Sequence, residues 1–166
     1  MQANMSEQFF EGVRVHFSSE KSFEQLKSAL LDDIGDCPVD LEVLAETFGT
    51  WETYKDHVDG YAGPSGFMLF GLINHGDWMS KVGSFPRSLR VILGNPTLAI
   101  TMLKHDLNAG LFAPVELLLM EEPAGKSSLM YVKPSSLMVI EPNDELLDAA
   151  RILDEKLQAL AVNVVS

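Results

Sequence analysis

Ser88-Leu89-Arg90-Val91-Ile92-Leu93-Gly94-Asn95-Pro96 is the stretch whose reading decides the fold. Its first six residues, centred on Val91 and Ile92, have the composition of a strand. Gly94 ends that strand, and Asn95 and Pro96 are the two residue types that best open a helix, a cap acceptor and a first-turn proline. A strand therefore hands directly to a helix. Such a junction can hold an anion, because first-turn N–H groups lack intrahelical partners and the helix dipole is positive there. It also serves as a plain helix start, and that structural reading is the commoner one.

Downstream, Leu98, Ala99, Met102 and Leu103 continue at helical spacing until Lys104–Asp106. Ala113-Pro114 opens the next strand, in which Val115, Leu117 and Leu119 alternate with Glu116, Leu118 and Met120. Both faces are mostly apolar, as in a central strand. Glu121 to Gly125 turns the chain, Leu129 and Tyr131 return as the partner strand, and Pro134 stops it. Asn143 then caps a long amphipathic helix carrying Leu146, Ala150, Leu153, Leu157 and Leu160, which predicts packing across the sheet.

Upstream, Phe67–Ile73 is an apolar run that reads as a strand buried on both faces. Asn74-His75-Gly76-Asp77 ends it, with Asp77 placed to cap a short helix through Trp78, Met79 and Val82 up to Gly83. If this connection is a crossover, the two flanking strands are parallel, and His75 and Asn95 share one sheet edge. Nearer the start, Phe9, Val13, Val15 and Phe17 fall at even spacing, the period of a strand with one buried face. His16 and Arg14 point the other way, toward solvent or an interface. Ser22-Phe23-Glu24-Gln25 is a capping-box pattern, followed by Phe23, Leu26, Leu30 and Ile34 on one helical face.

Residues 37–66 read as a helical insertion. Leu41, Leu44, Ala45 and Phe48 mark one short helix, Trp51, Tyr54 and Val58 another, and Gly49-Thr50 divides them. The insertion's aromatics could roof a pocket or add packing, and packing is favoured. Gly60, Gly63, Pro64 and Gly66 suggest a flexible exit, and His57 a surface position. The whole predicts a frayed stretch at residues 1–8 and one α+β domain over 9–166. That domain has two layers, a mixed or antiparallel sheet of about five strands with helices packed on it.

Composition narrows the function. The 166 residues are 46% hydrophobic and 22% charged, as in a folded globular chain, and no run approaches a membrane span. Twelve Lys and Arg against 24 Asp and Glu give a net charge of -12, which repels nucleic acid phosphates and anionic membranes alike. Neither is an expected partner. A single cysteine, Cys37, cannot form an internal disulfide, and residues 1–12 lack a signal-peptide pattern, so a reducing cytoplasm is expected.

The sequence holds no GxSxG, Walker loop, helix-opening GxGxxG, HExxH, CxxC or EF-hand loop. Four scattered histidines offer no metal set, beyond a His75 and His105 pair should folding bring them together with a carboxylate. No catalytic residue, metal or cofactor is assigned. The ordered set of Phe67 to His75, Gly94-Asn95-Pro96, Met102, Ala109 to Pro114, the strand hairpin, and Tyr131 before Pro134-Ser135-Ser136-Leu137 resembles the family catalogued as domain of unknown function 302 (DUF302). Leu153-Asp154 and Lys156-Leu157 resemble the end of one branch of that family. The resemblance covers about residues 9–160 and implies a two-layer α+β fold and a homodimer, but no reaction. Where many members have Asp-His this chain has Asn74-His75, and Asn can orient the imidazole but cannot stabilise its cation as a charge.

Three readings follow. In the first, a homodimeric cytoplasmic binding or accessory module takes a small apolar or anionic molecule at His75, Asn74 and Asn95, with Phe70 or Tyr131 walling the pocket. In the second, His75 is the base or metal ligand of a hydrolase or isomerase. In the third, the apolar faces serve protein interaction alone.

Overall fold

The structure is a computed structural model that describes residues 4–166. Part of the stretch expected to fray, residues 1–3, lies outside the described residues. The sheet holds β1 (Arg14–Ser19), β2 (Met68–Asn74), β3 (Ser88–Gly94), β4 (Val115–Glu121) and β5 (Ser127–Val132) in the order β1-β5-β4-β3-β2, every neighbouring pair antiparallel. β4 is the central strand, as its two apolar faces require. β1 begins later than its pattern suggests, since Phe9 and Val13 are exposed outside it.

α1 (Phe23–Ile34) starts at the predicted capping box: the Ser22 side chain accepts from Gln25 N–H, and Gln25 accepts from Ser22 N–H. Its Phe23, Leu26, Leu30 and Ile34 pack beside the buried face of α7 (Asp144–Val165), which Asn143 caps through Leu146 N–H. Both helices cover the sheet face made by Leu89, Val91, Leu93, Leu117, Leu119 and Leu129. Arg90, Ile92, Glu116, Leu118 and Met130 occupy the other face and are only partly buried or exposed. Alternation along each strand thus sorts the chain into a core side and an open side. Among the described residues, no helix is long and apolar enough to cross a membrane.

Two expectations fail in the same place. β2 and β3 are antiparallel, with Asn74 opposite Leu89 and Met68 opposite Gly94. The intervening helix α4 (His75–Met79) has five residues. It rises about 7 Å, whereas a strand of this length runs about 23 Å, so the helix alone does not carry the chain back, and the eight residues after it lead instead into the antiparallel return. Its cap is Asn74, whose Oδ1 accepts from Gly76 N–H, and not Asp77, which accepts from Asn74 Nδ2.

β2 is also an edge strand, buried on both faces only in its first half. Leu69 joins the main core, while Met68 packs on the opposite side with Leu44 of α2 (Leu41–Thr47) and Val58 of α3 (Trp51–Asp59). Beyond the α2–α3 pair the strand opens, and Leu72 is 38% exposed. The register slips between Leu69 and Gly71, leaving Phe70 outside the pairing.

Asp154 of α7 is a buried carboxylate in this core. Its Oδ1 accepts from Ser135 N–H at 2.9 Å, at the start of α6 (Pro134–Met138), and its Oδ2 lies 3.7 Å from Lys133 Nζ. Asp154→Ala leaves that N–H without its acceptor, and we expect a loss of about 1–3 kcal/mol in urea unfolding. A loss below about 0.5 kcal/mol would mean that water replaces the carboxylate without penalty.

Candidate functional site

The five residues singled out for ligand binding fall in three places. Phe70 and Asn95 line a pocket of about 340 Å³ at the start of α5 (Pro96–Leu103). His75 and Tyr131 line a second cavity, of about 470 Å³, on the open side of the sheet. Asn74 lines a third cavity, of about 600 Å³, with Phe23 and Arg87. The convergence of His75 with Asn95 depended on parallel strands. In the antiparallel pair they sit at opposite ends, about 20 Å apart by strand length.

Asn95 caps α5 as its sequence predicts, and the cap is complete. Its Oδ1 accepts from Thr97 N–H at 2.8 Å, and its Nδ2 donates to Gly66 O. Leu98 and Ala99 N–H both donate to Asn95 O, and Pro96 has no N–H. The first turn therefore offers an anion no free donor. Asp59 already stands there, accepting from Thr97 Oγ1–H at 3.0 Å. The hydrogen bond from Lys55 holds its carboxyl below the ordinary range, and burial offsets part of that effect.

What the α5 pocket does offer is apolar surface. Phe67, Phe70, Leu98, Met102 and Leu153 form its body, and Trp51 and Tyr54 of α3 stand at its wall. The α2–α3 insertion thus does both things its sequence allowed: Leu44 and Val58 pack, while Trp51 and Tyr54 wall the pocket. Burial raises the Tyr54 phenol above its ordinary pKa, so its hydroxyl stays protonated and able to donate near neutral pH. Gly94 keeps the wall in place, since a Cβ there would lie 2.8 Å from Phe70 Cε2 and 3.4 Å from Pro114 Cβ. Sequence reading missed Leu98, Met102 and Leu153 as lining because their helical spacing already accounts for them as core.

Among the described residues, His75 has no hydrogen-bond partner for acid–base work. Its Nε2 is buried without a hydrogen bond, its ring lies 5.0 Å from Trp78, and the Asn74 amide is committed to Asp77 and Gly76. Asn74 thus does not orient the imidazole. His105 lies 3.9 Å from Glu145, and among the described residues no three His, Cys, Asp or Glu side chains gather for a metal ion. Tyr131 stacks at 6.3 Å on Phe17. Its phenol is raised by burial and then by the Asp154 charge.

A five-stranded antiparallel sheet with α1 and α7 on one side, the α2–α3 pair against part of the other and an apolar pocket at its edge defines an α+β class of protein. Residues 45–164, well over half of the chain, match the family described as "Domain of unknown function DUF302", and the chain belongs to that family. A solved structure of an uncharacterized conserved DUF302 protein from Bacillus stearothermophilus is similar, with a TM-score of 0.63 at 16% identity. The match covers 91% of this chain and 97% of that one, and at this identity it shows the fold alone. No curated protein matches the chain.

Proposed function

We propose that this protein is a binding or accessory module that takes a small, largely apolar molecule into the α5 pocket and works as a homodimer in a reducing cytoplasm. The observation that carries the reading is the pocket itself: about 340 Å³ of apolar space walled by Trp51, Tyr54, Phe67 and Phe70. Small-molecule sites are concave, mostly apolar and roughly 300–1,000 Å³ in volume. A completed helix cap favours an uncharged ligand there, with the Tyr54 hydroxyl as the polar handle. Dimerisation is supported by β1, which ends the sheet and, among the described residues, has no strand on its outer edge, the kind of edge proteins normally cover. The free, exposed Cys37 suits a reducing compartment.

Trp51 makes the test direct. The neutral probe N-phenyl-1-naphthylamine should change Trp51 emission saturably, and Ala99→Phe, which fills the pocket, should weaken binding about tenfold or more. Probe binding that ignores Ala99→Phe would remove the pocket from consideration. Native mass spectrometry of gently purified protein reads assembly and cargo together: a dimer with a reproducible added mass is expected. A monomer would refute the dimer. An empty protein that also fails to bind the probe would favour a purely structural role.

A further inference from the structure

The second cavity lies where the sheet comes apart. The ladder between β4 and β5 runs from Glu121 opposite Ser127 to Leu118 opposite Met130 and stops there, although β4 extends back to Val115 and β5 on to Val132. Two strands that continue without pairing turn backbone N–H and C=O groups toward whatever lies between them. The space of about 470 Å³ occupies that gap, with Glu116 and Leu117 on one bank and Tyr131 and Val132 on the other. Leu118, Met130, Phe112 and Leu137 give it an apolar floor and end.

Charge distinguishes this cleft from the α5 pocket. In a chain of net charge -12, two guanidinium groups, Arg14 and Arg90, line it. Glu116 holds Arg90 in a two-point pair: Nε donates to Oε2 at 2.9 Å and Nη2 meets Oε1. Arg14 has no ion pair or side-chain hydrogen bond among the described residues. One positive charge is therefore left over beside an apolar trough, and a guanidinium favours a carboxylate through paired N–H donors.

We propose that the β4–β5 cleft binds an amphipathic monocarboxylate, its apolar body over Leu118 and Met130 and its carboxylate on Arg14. This site is distinct from the α5 pocket and does not depend on that pocket's having a ligand. Octanoate and its uncharged counterpart 1-octanol, titrated calorimetrically into the full chain, test it. Octanoate should bind about tenfold more tightly than octanol, and Arg14→Gln should erase the difference. Arg14 is exposed, so that variant keeps the fold. Saturating N-phenyl-1-naphthylamine should leave octanoate binding intact. The proposal is overturned by absence of octanoate binding, by equal affinity for octanol, by an Arg14→Gln variant that binds octanoate as before, or by displacement of octanoate by the neutral probe.

Discussion

Gly63→Ala should cost about 3 kcal/mol or more, one of the largest effects of a single added methyl group in this chain. A Cβ at this position would lie 1.5 Å from the backbone oxygen of Asp33 and 2.7 Å from its carbonyl carbon. The obstacle is main chain near the end of α1 and cannot rotate aside. The same crossing is pinned by Gly63 N–H donating to Phe67 O at 2.9 Å, and by Ser65, whose N–H and hydroxyl both donate to Asp33 Oδ1. Alanine restricts the unfolded chain and returns about 0.4–1 kcal/mol, which is too little to offset the overlap. The measurement is the urea midpoint at unchanged slope, or a melting temperature lowered by about 6–12 °C. A loss under about 1 kcal/mol would show that the loop yields, as its glycine and proline content suggests when read alone.

Phe67→Ala should cost about 3–5 kcal/mol and reshape the α5 pocket in the same step. Phe67 is fully buried, belongs to the main core with Leu69 and Leu93, and also lines the pocket. Removing its ring takes away dispersion contacts and enlarges a space that is already apolar. The two consequences separate experimentally. Denaturant unfolding reads the lost stability, and N-phenyl-1-naphthylamine titration well below the transition reads the changed pocket, with altered affinity expected for the folded variant. A variant as stable as the parent would mean that Phe70 and Met102 close over the gap.

Much of the fold was legible in the chain. Ser22 with Gln25, Asn95 with Pro96, and Asn143 each start a helix where their side-chain chemistry places it. The alternation through Val115 to Met120 marks the strand that lies in the middle of the sheet. Caps and periodicities are local, so a single segment carries the whole signal. The short link through α4 was harder, because Asn74 and Asp77 are both good caps and only the packed structure chose Asn74.

The candidate site was legible only as residue types. Phe70, Asn74, His75, Asn95 and Tyr131 all border cavities, but in three separate places, since a reversal of strand direction moves the end of β2 away from the end of β3. Local pattern marks Arg14 merely as an outward residue of the first strand, and nothing local links it to Arg90 or Met130.

By itself, then, the sequence determined the order and type of most elements, the apolar faces that α1 and α7 bring to the sheet, and the family. Tertiary structure alone decided strand direction, the completion of the Asn95 cap, the closeness of Gly63 to Asp33, and the parting of β4 from β5. The physical reason is range. Caps, turns and hydrophobic periods are interactions among residues a few positions apart, whereas a cavity is the space left between segments dozens of residues apart, and its shape exists only once they pack.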